Sequence, residues 1–288
     1  MSFRSLTEIL EQSQQKKKPF WEIVVEDDMT MRQVSKESSF SKMNTMYQAM
    51  READLSYDAS LRSASGLVGG DGQKILEASK NKTLFCGDFL CRVMARAVKM
   101  GESNACMRRI VAAPTAGSCG VLPAVLLTCE EERNIPNKTM LESLFVAAGI
   151  GEVIAARAFI SGAEGGCQAE IGSASAMAAG AVAYLNGGGN EEIVHASALA
   201  LKNLLGLACD PIAGLVEVPC VKRNVIGAVN AVTSADLAIA GVRSAVPADE
   251  VIDAMRDIGI QMPCSLRETG EGGLAATPTG LKITQDLM

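Results

Sequence analysis

The chain is short of aromatic residues, of histidine and of positive charge. Phe, Trp and Tyr together make up 4% of its 288 residues, and β-branched residues in alternation are scarce. A sheet-based fold draws on both kinds of residue, so these shortages argue against one. Basic side chains number 27 against 33 acidic ones, a net charge of −6, which excludes a nucleic-acid partner that needs a basic face. The one basic run, Lys16-Lys17-Lys18, reads as a solvated helix end or linker. Met1-Ser2-Phe3-Arg4 leads into a polar stretch, so no secretory signal is expected. The least charged windows, Ala174–Leu185 and Val225–Val242, are short or carry Asp236, and they predict buried helices with no membrane partner. A cytoplasmic protein is expected.

What is abundant is Ala, Gly, Leu and Met, a composition that suits closely packed helices. A chain of this length can bury a substantial core. The expectation is a mainly α fold: a compact bundle of apolar Ala/Gly-rich helices with functional Gly/Cys loops between them. Residues 1–288 are read as a single domain, with an outer helical part over 1–100 and a core over 101–288. Ser5-x-x-Glu8 forms a capping box, and Trp21–Val25 reads equally as helix or strand. Helical spacing predicts one or two helices over Met29–Leu55 and resumes from Gln73 to Lys99. Thr139-x-x-Glu142 is expected to cap a helix running to about Ile160. Helices follow over Ser173–Leu185, over Glu191–Leu207 capped by Asn190, over Ile226–Ala240 and over Ala248–Ile258.

Nine cysteines in a reducing compartment are unlikely material for a disulfide framework, and none are paired as CxxC. Cys86 and Cys91, in an apolar stretch with near-helical repeats, are expected to be buried packing thiols. Cys167 follows Gly165-Gly166, Cys209 precedes Asp210-Pro211, and Cys220 follows Pro219. Cysteines on Gly- or Pro-shaped turns are held out of regular structure, where a thiolate can reach a metal. Three soft ligands and a single histidine favour iron–sulfur or zinc, and the lack of an obvious fourth suggests an open coordination position. Cys119 and Cys264 also stand in irregular segments and are rival ligands.

Four irregular segments separate the apolar helices: Ala113–Gly120, Gly162–Glu170, Cys209–Cys220 and Met262–Gly273. Together with Ser65-Gly-Leu-Val-Gly-Gly-Asp-Gly72, they resemble the alpha chain of the bacterial iron–sulfur-dependent L-serine dehydratases. The likeness rests on Ala113-Pro-Thr-Ala-Gly117, Gly165-Gly-Cys-Gln-Ala-Glu-Ile-Gly172, Leu205-Gly-Leu-Ala-Cys-Asp-Pro211, Val218-Pro-Cys220 and Glu268-Thr-Gly-Glu-Gly-Gly-Leu274. The resemblance implies a [4Fe–4S] cluster on Cys167, Cys209 and Cys220. It also implies a separate beta-subunit partner, since the family's Ser-Ser-Ser-His-Thr segment is absent here. Single-chain members have a capping cysteine close to the C terminus; Leu281–Met288 has none, which implies water or substrate at the fourth iron.

The implied reaction takes L-serine to pyruvate and ammonia through loss of the Cα proton and the β-hydroxyl, with an open iron as Lewis acid. Ser65, Thr115, Gly117, Ser118 and Glu268 are candidates for binding substrate, with Glu170 as a further carboxylate. Lys222 and His195 are candidates for proton transfer, although a surface lysine and a satisfied core histidine are the plainer readings. Two alternatives stay open on the residues: a pyridoxal-phosphate lyase acting through a lysine Schiff base, and a non-catalytic cysteine-rich regulatory subunit.

Overall fold

A computed structural model describes residues 3–288. Among them are thirteen α-helices and no strand. They are α1 (Leu6–Lys16), α2 (Phe20–Arg32), α3 (Lys36–Leu55), α4 (Asp71–Lys80), α5 (Gly87–Ala105), α6 (Val121–Arg133) and α7 (Asn137–Arg157), then α8 (Gly162–Gly165), α9 (Ser173–Leu185), α10 (Asn190–Lys202), α11 (Cys220–Ile239), α12 (Ala248–Gln261) and α13 (Pro278–Leu287). The mainly α expectation holds, and Trp21–Val25 is helix.

Helix α9 is the axis of the molecule, with α6, α7, α10 and α11 packed around it. Its sequence, SASAMAAGAVAYL, is buried from Ser173 to Ala183. Small side chains allow that approach: a Cβ on Gly180 would lie 2.2 Å from Cδ1 of Ile150 on α7. One apolar cluster runs from Phe3 and Leu6 through Phe145 and Ile150 to Met255. Helix α7 is the one described helix long and apolar enough to cross a membrane, and 67% of its apolar window is buried inside the protein. It is a core helix. Outside this centre, α2 packs on α7, α5 on α11 and α6, and α4 on α5.

Several boundaries differ from the sequence reading, each for a local reason. Ser5 does cap α1, accepting from Glu8 N at 3.0 Å, but the Glu8 carboxylate takes Arg4 N instead of closing the box. Helix α7 starts at Asn137 after Pro136, so Thr139 lies inside the first turn, and Glu142 accepts from the Tyr184 hydroxyl at 2.8 Å. Asn190 is not the cap of α10. Gly189 occupies that position, and the Asn190 side-chain oxygen accepts from Phe20 N at 2.9 Å, satisfying the start of α2. The helical spacing over 73–99 is broken into α4 and α5, and α11 begins six residues earlier than expected, at Cys220.

Candidate active site

The three cysteines singled out by their Gly and Pro neighbours are all buried, at 1% (Cys167), 2% (Cys209) and 4% (Cys220) exposure. Each is placed by a different device. Gly166, with φ of +76°, turns the chain out of α8, and Cys167 then leads into a π-helical turn, Gln168–Gly172, that runs straight into α9. Such turns occur often at functional positions because they re-aim side chains within a helix. The turn is pinned by the buried Gln168, whose amide donates to Met255 O (3.1 Å) and accepts from Gly206 N (2.9 Å).

Cys209 lies on extended backbone. Its N–H donates to Leu266 O and its carbonyl accepts from Glu268 N, each at 2.8 Å, so it pairs with the 266–268 segment like a fragment of sheet. That pairing brings Glu268, itself at φ +64°, beside the thiol: a Cβ on Gly162 would meet Cys209 Sγ at 2.8 Å and Glu268 Oε2 at 3.0 Å. Gly162 is the floor on which both groups rest. Cys220 opens α11 immediately after Pro219.

The Sγ atoms of Cys167 and Cys209 and a carboxylate oxygen of Glu170 lie within 4.8 Å of one another, all buried. Cys220 is outside that set but within electrostatic reach. Its thiol is pushed up to about 12, first by burial and then by the negative charge of Cys167 and Glu170. Cys167 moves the other way: a hydrogen bond from the Cys209 thiol and the nearby Arg223 guanidinium hold it below the usual thiol range. Cys209, keeping its proton for that bond, is raised. Glu170 is raised by burial and by the charge of Glu268, against the hydroxyl of Thr115 that bonds its Oε1.

The Ala113–Gly120 segment forms the opposite wall. Thr115 and Ser118 hydroxyls are 3.0 Å apart, and a Cβ on Gly117 would lie 2.6–2.8 Å from the Glu170 carboxylate. Gly117 therefore leaves the room that the Glu170 carboxylate occupies, beside the Thr115 hydroxyl that bonds it.

Against known proteins, a family model described as "Serine dehydratase alpha chain" matches residues 15–275. The chain belongs to the serine dehydratase alpha-chain family. It is 45% identical to the probable L-serine dehydratase alpha chain of Bacillus subtilis, over 99% of this chain and 95% of that one. It is 43% identical to the L-serine dehydratase alpha chain of Peptoniphilus asaccharolyticus, over 93% and 92%. With the probable L-serine dehydratase alpha chain of Latilactobacillus sakei it shares 52% over 69% of this chain and 96% of that one.

In this alpha chain the other residues singled out in the sequence fall at varying places. Ser65 joins Ser63 in donating to Glu217 Oε2, three residues before Cys220, so the glycine-dense loop touches the Cys209–Cys220 segment through that carboxylate. The Lys222 ammonium is half-exposed and sits 2.8 Å from Asp71. His195 is on α10, where its Nδ1 accepts from Ser244 N at 3.2 Å. Of the rival thiols, Cys119 is buried against Ala53 and Met100 with its Sγ facing Met100 O (3.6 Å), and Cys264 is exposed. Cys86 corrects the packing expectation: it is exposed in the turn before α5, while Cys91, one turn into that helix, is buried. The apolar repeat was read through a segment that is not yet helix.

Two residues were missed. Arg223 donates to Cys167 Sγ (3.4 Å), Ala208 O (2.7 Å) and Asp210 Oδ1 (2.8 Å). Asn224, buried at 1% exposure, donates to Gly117 O and Cys220 O and accepts from Gly120 N. Their signal in the sequence is position: they stand three and four residues after Cys220, on the helix face that Cys220 itself occupies.

Proposed function

We propose that this chain is the catalytic alpha subunit of an L-serine dehydratase, a lyase that converts L-serine to pyruvate and ammonia in the cytoplasm with a beta chain as partner. The observation that carries the reading is the meeting of the buried Cys167 and Cys209 thiols with the Glu170 carboxylate, with Cys220 and Glu268 within electrostatic reach, in a chain of this family. Buried thiols with a guanidinium at hand fit an iron–sulfur cluster: soft sulfur ligands in a dry site, with a cation against their summed charge. Cys167, Cys209 and Cys220 would hold it. When bound, a [4Fe–4S] cluster with one iron open supplies a Lewis acid for departure of the β-hydroxyl.

The remaining work falls to side chains of this protein. Thr115, Gly117 and Ser118 form the polar wall that orients the substrate, and Glu268 faces its ammonium from the Cys209 side. Glu170 accepts the Cα proton in this reading: it lies beside the thiols, and burial holds its carboxyl above the usual range, nearer the working pH. Lys222, held on Asp71, and His195, turned to Ser244, are served less well by their surroundings. The pyridoxal-phosphate alternative asks for a lysine in the site, and Lys222 is the one nearest in sequence to a site cysteine.

The test is anaerobic purification with and without a beta chain, measuring iron, sulfide and pyruvate formation. Iron and sulfide that track lyase activity support the reading; a fully active iron-free protein, or visible absorbance removed by hydrazine, sinks it. Glu170→Gln is expected to keep iron and sulfide at wild-type levels while kcat falls about 10²–10⁴-fold, the usual worth of a positioned proton acceptor.

A further inference from the structure

We propose that Arg223 is a positioning residue that locks the cysteine-bearing segments in register for the metal they bind. The inference rests on the reading of the thiols as metal ligands. Arg223 lies one helical turn beyond Cys220, so its backbone moves with that cysteine. Its side chain is 14% exposed, and the guanidinium reaches across to the other two: directly to Cys167 Sγ, and to Ala208 O and Asp210 Oδ1, the residues on either side of Cys209. The second oxygen of Asp210 accepts from Leu274 N at 2.9 Å, and Gly273 approaches so closely that a Cβ would lie 2.4 Å from it. One side chain thereby joins α8–α9, the extended segment at Cys209, α11 and the 264–276 segment that carries Glu268.

The chemistry of the group matters as much as its reach. A planar fork with five donors can serve a sulfur, a carbonyl and a carboxylate together, whereas an ammonium on a flexible stem offers the charge without the geometry. An arginine that only balanced Asp210 would be weak evidence of anything beyond a buried ion pair. The contact to sulfur is what separates the two roles, because hydrogen bonds to ligand sulfurs govern both metal affinity and cluster potential.

Cobalt(II), titrated into the iron-free full chain against a competing chelator and read by thiolate-to-metal charge-transfer absorbance, measures the affinity. Arg223→Met is expected to weaken binding about 10–100-fold, and Arg223→Lys to fall between it and wild type. Arg92→Met, which removes a surface partner of Glu131 and Glu132, is expected to leave it unchanged. After anaerobic reconstitution with iron and sulfide, the midpoint potential of Arg223→Met is expected to be more negative than wild type, a shift that a purely structural role would not produce. If Arg223→Met does not fold, as judged by circular dichroism, Arg223→Lys and Asp210→Asn carry the test. Unchanged cobalt(II) affinity in the folded Met variant, or in both of the others, overturns the proposal. A wild-type chain that takes up cobalt(II) but no iron and sulfide refutes the cluster reading separately, and the affinity series then still decides for or against Arg223.

Discussion

Cys167 and Cys209 are separated by 41 residues and Cys209 and Cys220 by 10, yet all three are buried, the first two with their sulfurs together beside Glu170. Their flanking Gly and Pro residues were the legible part, since those residue types set backbone direction without help from the rest of the fold. What could not be read was which polar groups would meet them, because that depends on how α8, α11 and the 266–268 segment are laid together. Replacing Cys167, Cys209 or Cys220 by Ala is expected to abolish iron and sulfide retention in each case, while Cys86→Ala, in an exposed turn, retains the wild-type content. Iron analysis of the four variants decides it, and a cluster kept in any of the first three would point to Cys119 or Cys264. His195 makes a separate prediction. Burial holds its folded pKa below the ordinary value, aided by Arg243, so the unfolded chain binds the extra proton first. Stability from this site is complete above about pH 6.5 and is lost as pH falls through the folded pKa. Thermal melts from about pH 7.5 to about pH 5.5 should therefore lose more Tm in wild type than in His195→Gln, whose side chain keeps an acceptor for Ser244 N without titrating.

At the level of helices, the apolar spacing of the second half is legible in the sequence and the caps are not. Thr139 and Asn190 are both good capping residues by type, and both were bypassed, one by Pro136 and the other because its oxygen serves α2 across the molecule. A cap is a local competition, and tertiary partners decide it. The crossing of α5, α6 and α11 shows the reverse case, where a residue type is forced by its neighbours. A Cβ on Gly120 would lie 2.5 Å from the backbone carbonyl of Ala97 and 2.9 Å from Asn224 Oδ1. Backbone cannot move aside cheaply, so Gly120→Ala is expected to cost about 1–3 kcal/mol in urea unfolding. It should also disturb the 115–118 turn of the candidate site, because Asn224 holds Gly117 O as well as Gly120 N. A variant as stable as wild type would mean that α5 and α6 can slide apart without cost.

Across the whole molecule, α1 is tied to α12, an element more than two hundred residues further along the chain. Asp249, in the first turn of α12, accepts from Leu6 N (2.8 Å), Thr7 N (3.1 Å) and the Thr7 hydroxyl (2.7 Å), so a distant carboxylate satisfies donors at the start of α1. Arg157 at the end of α7 reinforces the tie by donating to Arg4 O and Asp253. None of this was visible in the sequence, where Asp249 reads only as an acid suited to its own helix start. The site depends on a different set of contacts: Arg223 and Asn224 join α11 to the cysteine segments and the 115–118 turn, and Gln168 ties the π-turn to Met255 of α12 and to Gly206. Asp249→Ala is therefore expected to destabilise the fold by about 1–2 kcal/mol, in the range of a lost helix cap. Amide exchange should quicken in α1, while metal content and cobalt(II) affinity remain those of wild type. Loss of metal together with α1 protection would overturn this expectation and show that the N-terminal helices and the thiol site form one cooperative unit, coupled through α12, which carries both Asp249 and Met255.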